Sequence, residues 1–252
     1  MTRARLPLVV LFLFAWSCGP PPQSLAIRAD YTSPDAIAAF TTRDGLLAGK
    51  SPGRITVSTL NGVEFTSIQA AIAKAPAGSV VSIPAGRYEE PILIEDKDLR
   101  LVGAGAQSTG IVASQTALWV SGGHVEIQDL TLVSRSVAES TAVAAFTDTT
   151  SRLVGCRVTG GTGPGILVTG TSNVHLEGNL VTGNMGGGLL IKGGVVSSFR
   201  NTLVRNAVAG YVFSPTSHTS IQSVLADHDT VLDNWSGPRC IAMTRKGLIP
   251  PE

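Results

Sequence analysis

Between about residue 54 and residue 240 the apolar positions come in short aliphatic or β-branched runs broken by Gly, Asn and Thr. Laid over itself, the chain brings three stretches into register: GCRVTGGTGPGILVTG, GNLVTGNMGGGLLIKG and RNTLVRNAVAGYVFSP. One slot of this register holds Cys156, Asn179 and Asn201, spaced 23 and 22. Two residues later come Val158, Val181 and Leu203, and five later come Gly161, Asn184 and Asn206. Nine after each slot, Gly165, Gly188 and Gly210 each open an apolar triplet, Ile166–Val168, Leu189–Ile191 and Tyr211–Phe213. Upstream the slot falls on Leu130, 26 before Cys156, with three extra residues near Ser136–Ser140. Downstream it falls on Asp229, 28 after Asn201, with Val231 and Asn234 following and about six extra residues between Ser214 and Gln222.

A period near 22 with several strand-like runs per period predicts a stacked solenoid. Such a rung has no room for a helix beside its strands. It suits three short strands joined by turns, an all-β parallel β-helix. Asn recurring at one corner is expected because it tolerates left-handed backbone and because its amide can bond its neighbours about 4.8 Å above and below. The alternative, an antiparallel sandwich with regular turns, gives no reason for a glycine at a constant offset of nine. The register also separates Cys156 from Cys240 by at least three rungs, roughly 14 Å along the axis. A disulfide needs Cα atoms within about 7 Å, so two free thiols are expected.

Residues 65–105 read FTSIQAAIAKAPAGSVVSIPAGRYEEPILIEDKDLRLVGAG. Thr66 with Gln69 forms a capping box, Ile68, Ala71 and Ile72 follow helical spacing, and Pro76 with Gly78 ends the helix. Strands are expected at Val80–Pro84, Pro91–Glu95 and Leu99–Val102. A helix laid over the first rung covers otherwise unpaired strand edges. Here the chain resembles the pectin-lyase-like superfamily, above all the amino end of pectinesterases. The matching parts are FTSIQAAIAKAP and IPAGRYEE, in which Gly86, Tyr88 and Glu90 fit the family's G-x-Y-x-E pattern. The resemblance covers about residues 54–240. It implies a right-handed parallel β-helix with an amino-terminal capping helix, and it makes Tyr88 and Glu90 substrate-binding candidates. On the residue reading, GRYEE is a corner of the first rung: Gly86 turns the chain, Tyr88 covers a neighbouring element, and Glu89 and Glu90 face water.

The family's chemistry does not follow. The Q-D-T-L, D-F-I-F-G and L-G-R-P-W segments of pectinesterases have no counterpart where TGPGILV and GNMGGGLLIKG stand. No Asp recurs at stacked positions in consecutive rungs, so a carboxylate pair for glycoside hydrolysis is missing too. The dense acidic run, Glu89, Glu90, Glu95, Asp96 and Asp98, reads as solvated strand ends, and no metal or cofactor is expected. One constellation remains, Asp227-His228-Asp229, in which a histidine beside carboxylates can serve as a general base. It resembles the Asp-Pro-His-Asp motif of uronate epimerases, with Ala226 and Asp227 in place of Asp-Pro. The bland alternative is a polar turn with Asp229 replacing the slot Asn. His218 lies in the insert; His124 and His175 sit at strand edges with no acidic partner apparent in sequence. Lys192, Arg200 and Arg205 could form a basic stripe for an acidic glycan, or simply a solvated face.

Composition narrows the picture further. Charged residues make up 15%, aromatics 5%, and 28 residues are glycine, which argues against long helices. Lys and Arg number 19 against 18 acids, so no nucleic-acid footprint shows. Arg3 and Arg5 precede an apolar run, Leu6–Trp16, too short to span a bilayer comfortably, which reads as an export signal. Its AWSC ending resembles the lipobox of bacterial lipoproteins, with Ala15 where that family favours Leu. That resemblance implies cleavage before Cys18 and acylation of its thiol; the alternative is an ordinary signal peptide or an uncleaved anchor. The expected organisation is a signal peptide over 1–17, a lipidated Pro-rich tether over 18–53, the β-helix over 54–240 and a tail or partial cap over 241–252. The expected role is an exported, membrane-anchored β-helix domain that binds extended polysaccharide without clear catalytic machinery. The alternatives are a polysaccharide-modifying enzyme (lyase, epimerase or pectinesterase-like) working through His228, and a structural surface protein.

Overall fold

The computed structural model describes residues 53–58, 60, 62–213, 229–232 and 234, and the backbone alone of 224–227, 241–244 and 247–248. Residues 1–52, which hold the expected signal peptide, Cys18 and nearly all of the expected tether, lie outside the described residues, as do His218, His228, Cys240 and the side chain of Asp227. No helix among the described residues is long and apolar enough to cross a membrane.

The chain winds as a right-handed parallel β-helix with three sheets. One rung runs through His124–Gln128, Thr131–Ser134 and Ala144–Thr147; the next through Thr150–Val154, Arg157–Thr159 and Ile166–Thr169. The corresponding strands pair in parallel, Leu153 beside Ile127, Val158 beside Leu132 and Val168 beside Phe146. Among the described residues the sheets have nine, seven and eight strands, called here first, second and third. At the amino end Ile55–Val57 and Glu64–Phe65 add antiparallel to the first sheet. The expected strands appear at Ser79–Ile83, Ile92–Glu95 and Leu99–Gly103, within one residue of their expected ends.

The pleat explains the core. In the first-sheet strands from Ser79–Ile83 to Val195–Phe199 alternate residues point inward and are buried, as in the column Leu101, Ile127, Leu153 and Leu176. The third sheet contributes Ile94, Val120, Phe146, Val168 and Ile191. Each such side chain removed from water stabilises by about 1.5–3 kcal/mol. Outward positions of the third sheet are apolar as well: Leu93, Trp119, Ala145, Leu167, Leu190 and Val212 stand in register. Leu93 and Trp119 are exposed.

The slot register appears as two buried amide ladders. Asn179 and Asn201 occupy one corner: Asn201 Oδ1 accepts from Asn179 N at 2.9 Å and from Asn179 Nδ2 at 2.8 Å, and Asn179 Oδ1 accepts from Cys156 N at 2.9 Å. Each carboxamide also donates to a carbonyl of the preceding rung, Asn179 to Leu153 O at 2.7 Å and Asn201 to Leu176 O at 2.9 Å. The second ladder runs from Gly161 N to Asn184, Asn206 and Asn234 by the same geometry. Every buried polar group in these columns therefore has a partner, which is what makes burial tolerable. Left-handed backbone is not the reason for the asparagines. That conformation belongs to the residue before each: Gly178 and Arg200 before Asn179 and Asn201, Gly183 and Arg205 before Asn184 and Asn206. The glycines at offset nine are dictated by close approach. A Cβ on Gly165 would sit 2.6 Å from Asn184 Nδ2, and one on Gly188 would meet Gly210 O at 2.7 Å.

The three extra residues before Cys156 lie in the connection 135–143, against 160–165 one rung later. Cys156 is a buried free thiol, and burial pushes its pKa up to about 12. A thiol so far from ionisation is inert at neutral pH.

Candidate functional site

The GRYEE corner serves the helix. Helix α1 spans Ile68–Lys74, and its cap is Ser67, whose side chain accepts from Ala70 N, rather than Thr66. Gln69 does not close a capping box. Its amide pairs with Leu93 N at 2.8 Å and Leu93 O at 2.9 Å, and so imitates a further strand on the third sheet. Glu90 does the capping from 22 residues away: Oε1 accepts from Ile68 N at 2.7 Å, and Oε2 accepts from Ser67 Oγ at 2.7 Å and Gln69 N at 3.2 Å. Lys97 closes the other end, donating to Ile72 O at 2.5 Å and Ala75 O at 3.1 Å. A carboxylate at the amino end and an ammonium at the carboxyl end both oppose the helix dipole. Glu90 is thus occupied by α1 rather than turned to water, while Glu89 is exposed and pairs with Arg87 at 2.8 Å. Tyr88 is buried and donates to Pro84 O at 3.0 Å. Burial raises its phenol pKa above 10.0.

Asp229 is also consumed by the fold. It stands in the slot, where Oδ1 accepts from Asn201 N at 2.7 Å and Oδ2 accepts from the hydroxyls of Ser198 and Tyr211. Lys192, Arg200 and Arg205 do not line up. They follow strands of the third, first and second sheets, so the 14 residues from Lys192 to Arg205 carry them around the rung instead of along one face. Arg200 lies over the Phe199 ring, 4.6 Å from its centroid.

Grouped polar side chains stand instead on the outer face of the first sheet. Arg100, Glu126, Arg152, His175 and Ser197 occupy one register column, with Gln128, Glu177 and Phe199 in the column beside it. Arg100 Nε lies 3.0 Å from Glu126 Oε2, and Arg152 bridges Glu126 at 3.6 Å and Glu177 at 3.3 Å. Gln128 donates to Glu126 at 2.6 Å and accepts from Arg100 at 3.0 Å. His175 places Nε2 3.3 Å from Glu177 Oε2 and Nδ1 2.7 Å from Ser197 Oγ. Far from a strand edge, His175 is the central residue of Asn173–Glu177, and its acid is two residues on. His124 does begin its strand, and its ring and backbone N–H both meet Asp98 Oδ1, at 3.2 and 2.8 Å. Those bonds hold the Asp98 carboxyl below 3.8. The column was available from the register, because each member precedes its slot residue by four: 126 before 130, 152 before 156, 175 before 179 and 197 before 201. Its mixed residue types concealed it from a search for recurring identities. Among the described residues no group of three or more His, Cys, Asp or Glu could hold a metal ion.

This winding, with a helix laid over its first rung, is a right-handed parallel β-helix. A family model described as right handed beta helix region matches residues 96–226, and the chain belongs to that family. Among solved structures it is similar to pectin methylesterase PemA from Erwinia chrysanthemi, at 18% identity and a TM-score of 0.41, over 63% of this chain and 68% of that one. It is also similar to a pectin methylesterase in complex with hexasaccharide VII (14%, TM-score 0.40, 74% of this chain and 91% of that one). A third likeness is ORF18 of Geobacillus virus E2 (16%, TM-score 0.34, 67% and 43%). No curated protein matches the chain. At these identities the likenesses are of fold.

Proposed function

We propose that this protein is exported, anchored through lipid on Cys18, and uses the outer face of its first sheet to bind an extended polysaccharide. The observation carrying the binding is the ladder Arg100, Glu126, Arg152, His175 and Ser197, which offers one polar side chain per rung in unbroken register. A rise of about 4.8 Å per rung suits a repetitive polymer lying along the axis. Each guanidinium of the ladder already has a carboxylate beside it. The face therefore suits a chain rich in hydroxyls rather than a densely anionic one. The anchor reading is supported by Arg3, Arg5, the apolar run Leu6–Trp16 and the cysteine that follows it.

A glycan array with the wild-type protein and Arg152→Ala tests the binding. The reading expects one family of polysaccharides to be retained by wild type and weakened at least tenfold by the substitution. No retained glycan, or equal retention by both proteins, would overturn it. Incorporation of labelled palmitate that Cys18→Ser abolishes tests the anchor separately; label that survives the substitution rules it out.

A further inference from the structure

Two side chains of the ladder, His175 and Ser197, form a chain of hydrogen bonds with Glu177 of the adjacent column, and the chain has a definite direction. Glu177 can only accept when ionised, so the proton between it and His175 sits on Nε2. That leaves Nδ1 as the acceptor facing Ser197 Oγ at 2.7 Å. A hydroxyl bonded to an imidazole whose far nitrogen is held by a carboxylate is the arrangement of an activated nucleophile. Glu177 is itself fixed by Arg152 at 3.3 Å. Register places the three on adjacent parallel strands, with His175 directly beside Ser197. The same face supplies surroundings for an ester. Val195, exposed, and Phe199 flank Ser197 on its own strand. Asn173, exposed and two residues before His175, lies diagonally across from Ser197, about 7–8 Å between backbones and within reach of a side-chain amide.

We propose that Ser197, His175 and Glu177 hydrolyse small O-acyl esters, with Ser197 as nucleophile, His175 as base and Glu177 as the positioning residue. Ser197 Oγ attacks the carbonyl carbon and its proton passes to His175 Nδ1. The amide of Asn173 donates to the oxyanion. On collapse the ester C–O bond breaks, the leaving alkoxide takes the proton from His175, and an alcohol departs. Water then adds to the acyl-serine, giving its proton to Nδ1. The carboxylic acid leaves, and Ser197 recovers its proton. Val195 and Phe199 contact the acyl group. That the ester is an acyl substituent on a bound glycan rests on the reading of this face given above; the nucleophile chemistry does not.

A fluorophosphonate probe with mass mapping tests it on the intact protein. Wild type is expected to carry one adduct on Ser197, and Ser197→Ala none. General-base assistance contributes about 10²–10⁴-fold, so His175→Ala should label at least tenfold more slowly. Glu177→Gln keeps size and a hydrogen-bond acceptor but loses the charge. It should slow labelling several-fold while the thermal midpoint holds, a readout that a merely structural contact would not move. No adduct on Ser197, or equal rates in wild type and a folded His175→Ala, overturns the proposal. An adduct on Ser197 without glycan retention removes the binding reading and leaves this one standing.

Discussion

Two polar columns climb the same solenoid at the same rise and differ in what surrounds them. At the corner after the first sheet, Asn179 and Asn201 are buried and every donor and acceptor is used by a neighbouring rung. On the outer face, the column from Arg100 to Ser197 keeps its side chains partly in water and pairs charges of opposite sign. Burial separates the two roles. Inside, a lost partner leaves an orphaned polar group with nothing to replace it. Outside, water substitutes at little cost, so the column is free to be specialised for a ligand.

The largest expected effect tests the buried side. Asn201→Ala removes the acceptor of Asn179 N and Nδ2 and the donor to Leu176 O. At about 1–3 kcal/mol for each orphaned group, partly relieved by relaxation, the loss should be about 3–5 kcal/mol in chemical denaturation. A loss under about 1 kcal/mol would show that the ladder is ornamental. Glu90→Ala should cost about 1–2 kcal/mol, because α1 loses the acceptor of two backbone N–H groups; a circular dichroism melt reads it. Arg152→Ala should change stability by less than about 1 kcal/mol, since its side chain is half exposed, while removing most glycan retention. A large loss of stability would erase the distinction between the columns.

The smallest effect concerns acid. Asp148 accepts from Thr171 N at 2.8 Å and Thr171 Oγ1 at 3.0 Å, and these bonds hold its carboxyl below 3.8. A depressed carboxyl contributes stability that is present above the unfolded value and lost as pH falls through the folded one. Denaturation midpoints should therefore be flat above about pH 5 and decline below about pH 4. Asp148→Asn should flatten that decline slightly; an unchanged slope would discount the corner.

Much of the fold could be read from the chain because a solenoid repeats its signal. Leu130, Cys156, Asn179, Asn201 and Asp229 fall in one column, and Asn234 joins Asn184 and Asn206 in another, as the register required. The helix cap was read wrongly because its acid, Glu90, arrives from the next rung, and local patterns such as Thr66 with Gln69 compete for the eye. The outer column went unread for a different reason. Arg, Glu, Arg, His and Ser share no identity, and their chemistry exists only between rungs, at separations of 22 to 26 residues. Two pairs were local, Gln128 with Glu126 and His175 with Glu177, each two residues apart on one face of a strand.

The asparagine bonds also have a direction along the chain. Asn201 completes Asn179, Asn206 completes Asn184, and Asn234 completes Asn206; the side chain that satisfies a rung always comes from the rung after it. Synthesis proceeds from the amino end, so each newly made turn of this region closes the one before it. At any moment only the most recent turn carries open amides. The edge that this bonding leaves open is one rung deep, however long the ladder becomes.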